Sequence, residues 1–513
     1  MKRIWNRMAC ILIAAIVSTG VLTGCLASGR DDDRSNRRDL VIVVAEEMTS
    51  FDATTSTLQS NHNIMLELYS TLFRNDARGR AQLEFAQTFE QDAYGATVTI
   101  PQNARFSDGS PITADDVVFS LNRARRSVAS GGLLAAVTDV EAINSYTIRI
   151  STNGPLPVLR NVLAQAGTSI KSRDFVERVE AGQASWSDPV TSGRYRLRQR
   201  VLGDFVTIER NDYFWNPANA ARNDSLTFRL VPEPSSRTIM VETGEADLNM
   251  NFSTADFNRV MNNPNLTLHQ NTSSVTQYFA FDVTQPPFDN VLVRRAMNYA
   301  IDRDAVVAIA ADGHGTPSFA VIPPTTLGHI PNAANFYYNP ARARELLAEA
   351  GHPNGFHISI STFVDLDVRI AEVLQVYLAA VGITADINRV EAAVRNEMLA
   401  AHRIPALAAR WGANTDPDMV LPRTLGRVGL GGANMTHFWL EELEELYALG
   451  RSFFTPEERI PFYEEAQRII MYHSPWVPLY VQRSFALAHR DLQGVLVDNE
   501  SARHLYLLHY AAN

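Results

Sequence analysis

Arg369 is the side chain with the clearest chemical reading. It sits at the start of a helical pattern, where backbone N–H groups are free. A guanidinium beside such donors suits a carboxylate or a phosphate. Asp365 and Asp367 lie close enough in sequence to occupy it instead as an exposed ion pair, worth about 0–1 kcal/mol. Met48 and Thr49 are candidate contacts by position, because they follow the first apolar run. The 12 histidines are scattered, and none forms an H-E-x-x-H pair. G-x-S-x-G and Walker loops are absent as well. No pairing of acids reads as a general acid and base. No enzyme signature, cofactor motif or metal site is read in these residues, although a catalytic triad is spatial and need leave no such motif.

The elements that would position these residues are clearest between about 340 and 411. Phe356, Ile358 and Ile360 alternate as in a strand. Ile370, Val373, Leu374, Tyr377, Leu378 and Val381 fall on one face of a helix that Gly382 stops. Ile383, Ala385 and Ile387 alternate again, so the spacing predicts a βαβ unit with parallel strands. Ile404 to Trp411 reads as a further strand. Toward the N-terminus, Leu40 to Ala45 is a buried strand, and a helix runs from about Asn61 to Phe73. Thr113 caps another helix with Asp115 and Asp116 in its first turn. Asp289 is the expected cap of a helix over 290–300, whose Arg294-Arg295 pair reads as a solvated face. In an open α/β sheet, ligands bind beyond the carboxyl ends of the strands. Three loops qualify: Glu46 to Asp52, Val364 to Arg369, and Gly412 to about Asn434.

Composition narrows the partners. The chain has 513 residues, with 46 Lys plus Arg against 56 Asp plus Glu, a net charge of −10. That balance argues against nucleic acid, whose phosphates need a basic face. The 2 cysteines exclude a disulfide framework. Met1 to Arg7 is basic, and Met8 to Leu22 is apolar but shorter than the roughly 20 residues of a spanning helix. The run ends in Leu22-Thr23-Gly24-Cys25, which resembles a bacterial lipobox. Residues 1–24 are then a signal peptide, Cys25 the lipidated anchor, and 25–38 a polar tether.

Several segments together resemble family 5 of the bacterial extracellular solute-binding proteins, the receptors of ABC importers for dipeptides, oligopeptides, glutathione, nickel complexes and some sugars. Phe106-Ser107-Asp108-Gly109-Ser110-Pro111-Ile112-Thr113-Ala114-Asp115-Asp116-Val117 is close to that family's strongest signature. Thr191-Ser192-Gly193-Arg194-Tyr195, Arg210 to Trp215, Gly244-Glu245-Ala246-Asp247 and Pro287-Phe288-Asp289-Asn290 follow in the family's order. The resemblance implies an α/β fold of the two-lobed periplasmic-binding-protein type (type II, cluster C), with an extra subdomain inserted in lobe I. Lobe I would comprise 39–60, 175–272 and 479–513, the subdomain 61–174, and lobe II 273–478. The crossovers would lie near 276–281 and 478–482.

The resemblance also implies site residues. Arg369 matches the arginine that holds a ligand carboxylate in dipeptide-binding members. Trp411 matches the tryptophan of lobe II, which either packs the strand end or stacks on the ligand. The aspartate that holds a ligand ammonium three residues later is here Asn414. Asp416, in Asp416-Pro417-Asp418, either takes over that role or shapes a turn. The implied function is capture of a peptide or peptide-like solute by hinge closure, for delivery to ABC permease subunits by a monomeric, lipid-anchored extracytoplasmic receptor. The departure at Asn414 leaves sugar, opine-like and metal-chelate ligands open. A surface hydrolase on the same scaffold is the alternative from another class.

Overall fold

The structure is a computed structural model that describes residues 37–48, 50–55, 59–76, 78–127, 129–412, 415–498 and 502–511. The signal segment, Cys25 and most of the tether lie outside the described residues, as do Thr49 and Asn414. Among the described residues, no helix is long and apolar enough to cross a membrane.

One 11-stranded sheet runs through both lobes. Its strands are β1 (Asp39–Val44), β2 (Tyr195–Val201), β3 (Phe205–Arg210), β4 (Ser225–Leu230) and β5 (Leu248–Asn249), then β6 (Leu266–Phe281) and β7 (Gly315–Pro317). β8 (His357–Thr362), β9 (Thr384–Arg389), β10 (Ala406–Gly412) and β11 (Trp476–His489) complete it. The order is β9-β8-β10-β6-β11-β5-β1-β4-β3-β2, with β7 on β11. The long strands β6 and β11 pair antiparallel from Leu266–His489 to Ala280–Trp476, and they bridge the two halves.

The expected βαβ unit is present. β8 and β9 are parallel, and helix α3 (Asp365–Ala379) connects them. β10 also runs parallel to β8. The period of two shows why the sheet is covered on both sides of lobe II. Phe279, Phe281, Ala406 and Ala408 pack with Ile370 and Leu374 of α3. The alternating Tyr278, Ala280, Leu407 and Ala409 pack on the other face with Tyr463 and Ile470 of helix α4 (Pro456–His473). Lobe I has its own core, built from Leu40, Ile42, Leu226 and Phe228 with Met65 and Leu68.

A separate four-stranded antiparallel sheet spans Thr88–Asp92, Gly95–Thr99, Val137–Asn144 and Thr147–Thr152. Ala114–Arg126 is a helix whose Val117 and Leu121 share that sheet's core. Its predicted cap is present: the Thr113 N–H donates to Asp116 at 3.0 Å.

Two local expectations are corrected. Asn290, not Asp289, caps helix α1 (Val291–Ala300), accepting the Leu292 N–H at 2.9 Å. Arg294 is buried rather than solvated. Its guanidinium donates to the carbonyls of Phe288 (2.6 Å), Asp289 (3.2 Å) and His473 (2.9 Å), joining α1 to the end of α4. Burial pushes its pKa down to about 10, and those carbonyls replace the water it has lost.

Candidate ligand-binding cleft

A cleft of about 560 Å³ opens where β6 and β11 pass between the lobes. The pairing breaks register there. Thr272 faces Arg483 and Thr276 faces Val481, so β6 carries three intervening residues against one on β11. Such a bulge bends a strand and re-aims its side chains, and Ser273 and Val275 line the cleft. Met250–Thr254 and Phe485 form the lobe I wall, while Asp312, His314, Leu366 and Arg369 form the lobe II wall.

Arg369 reaches this cleft, but neither Asp365 nor Asp367 holds it. Asp365 pairs with Arg389 at 2.7 Å. Asp367 accepts the Phe363 and Val364 N–H groups, both at 3.1 Å, at the start of α3. The partner of Arg369 is Asp312, in a fork of 2.7 and 3.2 Å, and Arg369 also donates to the Ile309 carbonyl at 2.8 Å. Asp312 lies just beyond helix α2 (Arg303–Ala310), in a left-handed conformation with φ 50°. The Arg369 hydrogen bonds hold the Asp312 carboxyl below its ordinary pKa, and Asp312 in turn raises that of Arg369. The pair stays wet, with side chains 45% and 49% exposed.

Arg483, on β11 at the register break, is a lining residue that sequence reasoning missed. It is exposed and has no ion pair among the described residues. Its carriers, Gln482-Arg483-Ser484, look like any polar stretch of a strand. Tyr480 beside it is buried, its hydroxyl lacks a hydrogen-bond partner among the described residues, and burial raises its pKa. Phe252, Phe485 and Tyr480 supply apolar surface. The charged lining residues are Arg369, Arg483 and Asp312, a local surplus of one positive charge in an acidic chain. Chemically, the cleft offers cationic forks beside aromatic surface and one unsatisfied phenol.

The other expected contacts among the described residues lie outside this lining. Met48 is buried in the lobe I core. Asp52, from the same loop, turns toward the inserted subdomain and accepts a fork from Arg123 at 2.7 and 3.0 Å. Trp411 pairs with Thr276 in the sheet and is half-buried against the lobe II core. Both oxygens of Asp416 are taken by Arg459, at 2.5 and 2.8 Å, and Asp416 also caps Asp418 at 3.0 Å. A carboxylate so occupied is a structural anchor and is not offered to a ligand ammonium. The loop carrying it leaves the cleft for the subdomain. The Thr415 hydroxyl donates to the Gly79 carbonyl at 2.8 Å, Asn161 donates to Thr415 at 3.3 Å, and Met419 is buried in the subdomain core.

The family model for bacterial extracellular solute-binding proteins, family 5 (middle), matches residues 84–429. The chain belongs to this family. Family 5 comprises solute-binding proteins of ABC importers for peptides and related ligands. Among its curated members, the glutathione-binding protein GsiB of Escherichia coli (strain K12) is 27% identical over 498 residues, covering 94% of this chain and 95% of the relative. The structure of HbpA2 from Haemophilus parasuis superposes with a TM-score of 0.84 at 24% identity, over 92% of this chain and 99% of that one. The periplasmic binding protein DppA from Helicobacter pylori, solved with peptide STSA, gives a TM-score of 0.77 at 22% identity, over 92% and 98%. The family 5 chain thus has the two-lobed type II fold, and its relatives are binding proteins rather than enzymes.

Proposed function

We propose that this chain is an extracytoplasmic receptor that closes on a peptide or peptide-like solute bearing a carboxylate and hands it to an ABC permease. The observation carrying this reading is that two arginines, Arg369 and Arg483, the latter without an ion pair among the described residues, line one interlobe cleft. Besides the Ile309 carbonyl, Arg369 is held by an exposed carboxylate, which a ligand carboxylate displaces at little cost, since such pairs contribute about 0–1 kcal/mol. A solute that meets both lobes only in the closed form draws the hinge shut. GsiB's name and DppA's peptide support the solute class. The lobe boundaries given above, a monomeric state and an anchor on Cys25 complete the proposal.

Native mass spectrometry of the purified protein, followed by calorimetry with glutathione and a di- to tetrapeptide panel, tests it. The expected result is a retained or titratable anionic peptide whose affinity falls in Arg483→Ala. No heat with any peptide, together with a bound sugar or metal complex in the native spectrum, would replace the solute class. Turnover of the bound solute would instead favour the hydrolase.

A further inference from the structure

Asp282, His402 and His437 converge at the outer end of lobe II, and their ligand atoms all lie within 4.8 Å of one another. Asp282 directly follows β6, His402 precedes β10, and His437 belongs to the loop before helix Glu441–Arg451. β6 and β10 are antiparallel, with Val275 opposite Gly412 near the cleft and Phe281 opposite Ala406 at the far end. The seven steps from Val275 to Asp282 span about 23 Å of extended chain. The cluster is therefore remote from the solute cleft.

We propose that these three residues form a binding site for a divalent transition metal of the kind imidazole prefers, with zinc as the reference ion. Five features support it. Asp282 is fully buried, and a buried carboxyl group needs hydrogen-bond or charge partners. Its Oδ1 is fixed by the Thr284 N–H at 3.0 Å and hydroxyl at 2.6 Å, the outer hydrogen bonding that orients a metal-binding carboxylate. Both Nδ1 atoms face its other oxygen, His402 at 2.7 Å and His437 at 3.2 Å. His437 Nδ1 is buried with Asp282 Oδ2 3.2 Å away, while His402 Nδ1 lies within hydrogen-bonding reach of both Asp282 and the Thr284 hydroxyl, at 2.7 and 3.1 Å. Both histidines adopt the left-handed conformation, φ 53° and 54°, rare outside glycine, and their rings stack 3.9 Å apart.

Zinc bonds of about 2.0–2.2 Å in tetrahedral geometry separate two ligand atoms by about 3.4 Å. The His437 spacing is already close to that. His402, whose side chain is 41% exposed, would have to withdraw by about 0.7 Å to reach that spacing, and its exposure leaves room to do so. The site would clip three chain segments at the base of lobe II and leave at least one coordination position to water.

The test is titration of the chelator-stripped full chain with Zn²⁺ by calorimetry, and with Co²⁺ by visible absorption. One saturable equivalent is expected, with ligand-field bands and a raised thermal midpoint. His402→Ala and His437→Ala should each weaken zinc binding at least tenfold, while His314→Ala, in the cleft, should not. If His437→Ala fails to fold, the exposed His402→Ala decides alone. Absence of a saturable site, unchanged affinity in His402→Ala, or loss of zinc in His314→Ala would overturn the assignment.

Discussion

Two arginine–aspartate forks in lobe II have nearly the same bond lengths and opposite settings. Arg369–Asp312 stands at the cleft with both side chains about half exposed. Arg459–Asp416 is enclosed, with side chains 4% and 10% exposed. Water competes for the first pair, so its net worth is small and its guanidinium is exchangeable. The second pair has surrendered its hydration, so each partner depends on the other. Geometry alone would class both as salt bridges. Solvation leaves one open to exchange and makes the other a place to hold the backbone.

The largest expected effect follows from the enclosed pair. Asp416→Ala strands the Arg459 charge and should cost about 3–5 kcal/mol in chemical denaturation, whereas Asp416→Ala/Arg459→Leu should recover part of that loss. A cost below about 1 kcal/mol would erase the distinction. Next come the cleft arginines. Arg483→Ala and Arg369→Ala should each weaken solute binding by at least about 1.5 kcal/mol in calorimetry, with stability changed by no more than about 0.5 kcal/mol. Unchanged binding in Arg369→Ala would reduce it to an ordinary surface pair.

Asp312→Asn should have the smallest effect. It frees the Arg369 guanidinium, so affinity for a carboxylate solute should rise a few-fold while stability moves by less than about 1 kcal/mol. The sign with pH is fixed by the lowered Asp312 pKa. The contribution of that pair is present above the unfolded value near 3.8 and fades as pH falls through the lower folded value. Denaturation curves of the wild type and Asp312→Asn should therefore differ slightly at neutral pH and converge in strong acid.

Much of this architecture was legible in the residues. The alternation at 356–360 and 383–387, with the helical stripe between them, located the βαβ unit because strand and helix periods differ physically. Thr113, followed by Asp115 and Asp116, marked a helix start, and the Thr113 N–H does bond to Asp116 there. The motifs also placed Arg369 in the cleft. Partnership was illegible wherever the partner comes from a distant segment. Asp312 lies 57 positions from Arg369, and Arg459 lies 43 from Asp416. Arg294 looked solvated because a charged pair on a helix usually is. Only the fold brings three carbonyls around it. Arg483 carries no local signal, since its importance arises from a register break between two strands more than 200 residues apart in sequence.

The loop from Thr415 to Met419 is a seam between two separately cored parts of the chain. Its Thr415 hydroxyl donates to the Gly79 carbonyl, Asn161 donates to Thr415, and Met419 is buried among the apolar residues of the subdomain. Any movement that parts the two at this point has to break those two hydrogen bonds and bare that methionine, a modest toll of a few kcal/mol.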